Sequence, residues 1–272
     1  MKPICAIAVL CLAAGGTLPL DVQALLKERA ETTAAFRDPR KSPLAAVARH
    51  DVAVGHSLVF GTGPDCDVKL DAVPRATLRA LPDGFELNGR KVPPSTTALL
   101  GRYTLRLSHQ NFPAVVVLDP QSPRLATGPF PVWFDPDPSA RVEATLQREP
   151  PQEEVILSTR GNKRRALRLG KLRFTLGGHE LSLTALRLLE PGTRETAVSI
   201  FFRDETTGHE TYPVGRYVDA EPLGPDRYVL DFNRAYNPSC AFSTLYNCPI
   251  PPRENVLAVP VRAGERDPGG HE

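Results

Sequence analysis

The chain predicts a mostly β fold of two packed antiparallel β units, sandwich- or barrel-like, with one N-terminal helix after a signal peptide. Three observations carry that expectation. Short alternating or apolar runs recur along the chain, separated by turn residues. The 28 prolines and 20 glycines among 272 residues supply many turns, which suits short strands better than long helices. Hydrophobic residues make up 41% of the chain, enough for a real core. Charge is nearly balanced, 33 basic against 31 acidic side chains, so composition gives no reason to expect nucleic acid as a partner.

Residues 1–16 read as a signal peptide, with Lys2 as a minimal positive start, an apolar run over 4–14, and Ala13-Ala14-Gly15-Gly16 as a small-residue cleavage site. That run is too short to span a bilayer stably, and no other run approaches a transmembrane segment. The expected location is therefore outside the cytoplasm, periplasmic or extracellular. Removing the leader deletes Cys5 and Cys11 and leaves Cys66, Cys240 and Cys248. In an oxidising compartment Cys240 and Cys248 are expected to pair as a disulfide across a short loop, with Cys66 free and buried.

Residues 17–44 hold the helix, whose apolar period runs over 20–37. Asp21 can cap it, Val22, Leu25, Leu26, Ala30 and Thr33 share one face, and Asp38-Pro39 ends it. A surface helix lying against the body is the expectation.

Residues 45–120 form the first β unit, with strands at 56–60, 67–70, 76–81, 85–87, 102–107 and 114–118. Asn88-Gly89 is a strong hairpin turn. Segment 61–92, with its glycine, its Asp65-Cys66-Asp67-Val68-Lys69-Leu70 strand and that turn, resembles a forkhead-associated domain. The Arg after the glycine and the Ser-x-x-His phosphate clamp of that family are missing. The resemblance therefore implies a similar sandwich and disfavours phosphopeptide recognition.

Residues 121–150 read as a proline-rich connector around Phe130, Trp133 and Phe134, with one strand at 141–146 and a joint at Pro150-Pro151. Residues 151–272 form the C-terminal β unit, with strands at 154–158, 163–169, 171–176, 180–186, 197–202 and 227–232. Arg160, Lys163, Arg164, Arg165, Arg168, Lys171 and Arg173 cluster locally, and a solvated strand face is favoured over an anion or membrane-surface site. The unit closes with a loop over 231–265, which Pro238, Pro249, Pro251 and Pro252 keep from being helical.

Several chemistries are excluded by motif. There is no Gly-x-Ser-x-Gly elbow, no phosphate-binding Gly-Lys-Ser/Thr loop, no dinucleotide-binding glycine triplet and no His-Glu-x-x-His. The cysteine spacing matches no zinc pattern, the histidines are scattered, and no metal set is assigned; no cofactor is identified. What remains are Asp204, Asp231, Glu254 and Glu265 beside Asn233, Asn237, Asn255, Tyr212, Tyr217 and Tyr236. Paired carboxylates could serve as general acid and base. Carboxylates with amide and main-chain oxygens could hold Ca²⁺. The same groups could instead satisfy the backbone of a proline-interrupted loop. Arg216 divides in the same way, between a ligand anchor and a structural partner for Asp204 or Asp231.

The run Phe202-x-Asp204-x-Thr206-x-Gly208-x-x-Thr211-Tyr212-x-x-Gly215-Arg216-Tyr217, then residues 231–241, Cys248-Pro-Ile-Pro-Pro and Ala263-Gly264-Glu265, resembles the bacterial domain of unknown function 1684 family. The likeness is carried by residues 200–265, and Gly101-Arg102-Tyr103 is similar to that family's Arg-Tyr-Gly strand. The resemblance implies a β-rich protein with the same candidate residues and brings no activity. The expected function is binding, or hydrolysis, of a small polar ligand in a cleft formed by residues 203–217 and 231–255. Asp204 and Asp231 are the catalytic candidates; Arg216, Tyr217, Asn233, Tyr236 and Asn237 are the ligand-binding ones. The alternative is a non-catalytic envelope module in which these residues buttress the fold.

Overall fold

The computed structural model describes residues 17–269. The expected signal peptide lies outside them. Helix α1 spans Val22–Ala35, and Asp21 caps it by accepting from the Ala24 amide at 3.0 Å. Its buried positions are Leu25 and Arg29, while Leu26 is 44% exposed. The inward face therefore runs through positions 25, 29, 32 and 36 rather than through the apolar stripe expected from the sequence. A guanidinium sits in that face because its partners are carbonyls: Arg29 donates to Phe134 O at 2.8 Å and Asn233 O at 3.2 Å.

The first β unit contains β1 (Ala46–Asp51), β2 (Ser57–Gly61), β3 (Val68–Lys69), β4 (Ala76–Leu81), β5 (Gly84–Leu87), β6 (Arg90–Val92), β7 (Thr96–Leu100), β8 (Tyr103–His109) and β9 (Pro113–Leu118). They make two sheets, β3-β2-β4-β5-β6 and β1-β9-β8-β7. The β2–β3 pair is parallel, against the all-antiparallel expectation; the other pairs in these sheets are antiparallel. Phe60, Leu78 and Phe85 of one sheet meet Leu105, Leu107, Val115 and Val117 of the other in one core. Asn88 and Gly89 both have positive φ, as the two-residue turn between β5 and β6 requires.

Strand β9 is buried at every position. Val115 and Val117 enter the sandwich core, whereas Val116 and Leu118 pack on Phe242, Tyr246 and Cys248 of the C-terminal loop. A continuous apolar strand is what two covered faces demand. The loop is thus pinned to the first unit as well as to its own.

After a short helix α2 (Arg124–Thr127), the C-terminal strands close into a barrel: β10 (Arg141–Leu157), β11 (Lys163–Leu176), β12 (His179–Leu188), β13 (Ser199–Phe202), β14 (Arg216–Gly224) and β15 (Arg227–Asp231). The barrel begins inside the stretch expected as a connector, and Pro150-Pro151 is no joint, since β10 runs through it. Both prolines fall in a register break, between the pairs Arg148↔Gly170 and Gln152↔Arg168, where a missing N–H leaves no ladder bond unmade. Gly170, at φ 138°, faces that break, and a side chain there would meet Gln147 O at 2.2 Å.

The barrel core joins Val142, Leu172, Phe174, Leu183, Ile200, Phe202, Leu230 and Phe232 to Leu257, Val259, Val261 and Ala263. These last four alternate with exposed residues along an extended strap that plugs the barrel. Among the described residues, three of the seven clustered basic side chains pair with carboxylates. Arg165 pairs with Glu153, Arg168 with Glu149, Glu154 and Glu254, and Arg164 is buried against Glu190.

Gly170→Ala is expected to lower unfolding free energy by about 2 kcal/mol or more, because main chain blocks the added methyl. Urea denaturation checks it; an unchanged midpoint would mean the bulge relaxes freely.

Candidate functional site

The strap over 257–265 has few backbone ladder partners, so its carbonyls need donors from elsewhere. Arg216, on the first position of β14, supplies them: its guanidinium donates to Val261 O at 2.8 Å, Ala263 O at 2.5 Å and Glu265 O at 3.0 Å. Asp204 accepts from the same guanidinium at 2.9 Å, with side-chain exposures of 1% and 0% for the pair. Asp204 also accepts from the Thr206 amide and hydroxyl at 2.7 and 2.5 Å. Burial pulls the Arg216 pKa down, and the Asp204 charge opposes that pull.

Asp231 is filled in a similar way. One oxygen takes the Asn233 amide and side-chain nitrogen at 3.1 and 3.0 Å, and the other takes Arg141 at 2.7 Å and Arg234. The loop asparagines clasp main chain with their carboxamides. Asn233 accepts from Asp137 N at 2.7 Å and donates to Asp137 O at 2.8 Å. Asn255 accepts from Thr184 N at 2.7 Å and donates to Phe201 O at 2.9 Å, bridging β12 and β13 where those strands share one residue pair.

A cavity of about 590 Å³ opens between α1, the outer face of β1-β9-β8-β7 and the C-terminal loop. Of the candidate residues, Tyr217, Asn233, Tyr236 and Asn237 line it; Asp204, Arg216 and Asp231 do not. The walls also carry Arg29, Arg106, Trp133, Phe242, Tyr246 and Glu265. Among the described residues, the buried polar atoms without a hydrogen-bond partner include Arg29 Nε, Asn237 Oδ1 and the Tyr246 hydroxyl, all on residues of this wall. Arg106 is exposed, lies 5.7 Å from the Tyr246 ring centroid, and has no ion pair among the described residues. Glu265 accepts from the Asn237 amide at 2.8 Å, and burial pushes its pKa up to about 7. No three of His, Cys, Asp and Glu gather as a metal set among the described residues.

Tyr217 donates to Pro249 O at 2.5 Å, which leaves its ring rather than its hydroxyl to the cavity. Tyr236 is 38% exposed, with the Asp219 carboxylate near its hydroxyl. Cys240 and Cys248 are free buried thiols rather than the expected disulfide. Arg29, Arg106 and Tyr246 escaped sequence reasoning, and so did the place of Glu265 on the cavity wall. The one available signal was Arg29 sitting a helical turn beyond Leu25.

Residues 132–266 match a family model described as a protein of unknown function, DUF1684. The match starts well upstream of the segment that carries the sequence resemblance and takes in β10–β12; Gly101-Arg102-Tyr103 lies outside it. No curated protein matches the chain. A solved structure, the solution NMR structure of an uncharacterized protein of Haloarcula marismortui, is 40% identical, covers 50% of this chain and 76% of that chain, and superposes with a TM-score of 0.42.

Arg216→Ala is expected to cost about 3–5 kcal/mol, because it leaves Asp204 buried without its partner and the strap carbonyls without donors. Chemical denaturation checks the figure; a variant as stable as wild type would return Arg216 to the ligand-binding candidates. Glu265 titrates near 7 in the folded protein against an ordinary 4.5. The stability its retained proton provides is full below about 4.5 and is lost as pH rises through about 7, an effect of about 3 kcal/mol. Glu265→Gln should flatten that slope, read as the wild-type minus variant difference in unfolding free energy from pH 4 to 8. Parallel curves would show an ordinary carboxyl.

Proposed function

We propose that the protein binds a small polar ligand carrying an anionic group in the cavity between α1, the β1-β9-β8-β7 sheet and the C-terminal loop. The observation that carries this reading is the convergence of unpartnered polar atoms on one wall: Arg29 Nε, Asn237 Oδ1 and the Tyr246 hydroxyl. Folded proteins pair nearly all such atoms, so several on one cavity wall call for a ligand that completes them. Arg106, a guanidinium without a carboxylate partner among the described residues, favours an anion, and Asn237 Oδ1 asks for a donor. The ligand class is then a carboxylate or phosphate compound that also bears hydroxyl or amino hydrogens. Leu25, Phe36, Val116, Trp133 and Phe242 would cover its carbon skeleton.

Binding is favoured over hydrolysis by Asp204 or Asp231, whose oxygens are committed to Arg216, Arg141, Arg234 and loop donors. Two carboxyls lie on the wall: Glu28 is paired with Arg234, whereas Glu265, with a pKa of about 7, can hold or release a proton at neutral pH. The setting we propose is outside the cytoplasm, on the strength of the leader-like residues 1–16.

Thermal shift and calorimetric titration against carboxylates, sugar phosphates, nucleotides and neutral sugars test the reading. An anionic compound should stabilise wild type, by about 2.7 kcal/mol at a hundredfold excess over Kd. Arg106→Ala and Tyr246→Phe should weaken binding about tenfold or more without lowering the melting temperature of the free protein. If no anionic compound shifts wild type and Tyr246→Phe stabilises it, the cavity holds only water and the loop merely buttresses the fold.

A further inference from the structure

A second cavity, of about 720 Å³, lies on the other side of the loop and is lined by Thr159, Arg160, Tyr212, Val214, Cys240, Thr244, Tyr246 and Ile250. Cys240 lines this cavity and Cys248 lines the first. The Tyr212 hydroxyl, which donates to Cys240 O at 3.2 Å, also lies 3.7 Å from Cys240 Sγ. The neighbouring Cys248 first, then Tyr212 and Thr159, pull the Cys240 thiol below its ordinary range against burial. Cys248 is pushed well up, first by its bond to Cys240 and then by burial.

We propose that Cys240 and Cys248 form a thiol–disulfide exchange site, entered from the second cavity, with Cys240 as the attacking sulfur and Cys248 as the resolving one. The co-substrate is a low-molecular-weight disulfide. The Cys240 thiolate, its proton given to solvent, attacks one sulfur of that disulfide; the S–S bond breaks and one small thiolate leaves. Cys248 then loses its proton and attacks the Cys240 sulfur of the mixed disulfide, expelling the second small thiolate. Two protein thiols are oxidised to one disulfide, one small disulfide is reduced to two thiols, and the two protons go to the leaving thiolates. Converting Cys240 to a mixed disulfide removes the bond and charge that hold Cys248 protonated, so the first step prepares the second. Closure ties the loop over 240–248, whose Phe242, Tyr246 and Asn247 line the first cavity.

Folded protein incubated with glutathione disulfide, quenched with acid and mapped by mass spectrometry tests this. Wild type should lose both thiols and gain the Cys240–Cys248 bond. Cys248→Ser should accumulate glutathione on Cys240, and Cys240→Ser should react at Cys248 about tenfold or more slowly. Cys66→Ser should behave as wild type. Early quenching of wild type, with the mixed disulfide located by peptide mapping, gives the same answer if a serine variant fails to fold. The proposal is overturned if the folded thiols stay unreacted while denatured protein reacts, or if early adducts sit on Cys248. The readout needs no ligand in the first cavity, so failure here and failure of the ligand reading are separate results.

Discussion

The grip of Arg216 on the strap is the interaction on which the rest depends. An extended segment with few neighbouring strands must find donors for its buried carbonyls, and one guanidinium reaches those of Val261, Ala263 and Glu265. Such a cation is tolerable inside a barrel because Asp204 lies against it and fixes the turn at Thr206 as well. Held this way, the strap drives Leu257, Val259, Val261 and Ala263 into the core and brings Glu265 to the Asn237 amide. The position of the cavity wall therefore follows from a salt bridge that does not touch the cavity.

The second constraint is β9. Its two apolar faces bind two different cores, one inside the sandwich and one beneath the C-terminal loop. That makes the cavity composite: α1, the first sheet pair and the barrel's loop each contribute a wall. Neither unit alone carries the set Arg29, Arg106 and Asn237.

Local signals made the mostly β class and several elements legible: the Asp21 cap for α1, alternation for β4, the Asn88-Gly89 turn for β5 and a continuous apolar run for β9. They failed where tertiary pairing overrode them. The prolines at 150 and 151 look like a break in sequence and are absorbed by a bulge opposite Gly170. The short strands β1, β6 and β7 carry too little pattern of their own and exist because β9, β5 and β8 pair with them. Among candidate residues, the density of Asn and Tyr in the loop pointed to the right region. It could not separate amides that clasp main chain, as Asn233 and Asn255 do, from Asn237, which keeps a free oxygen. The distinction depends on distances across the fold, which no spacing in one chain encodes.

The strap also orders assembly in time. On a ribosome, residues 46–118 contain both sheets of the sandwich and can collapse once they emerge. The barrel cannot do the same, since its interior stays open until residues 257–263 arrive to fill it. Until then Phe174, Phe202 and Phe232 lack their inner neighbours, and the β9 face that awaits the loop is bare. The nascent chain therefore exposes the apolar barrel interior and the outer face of β9 until its last segment emerges, a window in which a holding chaperone has the most to grip.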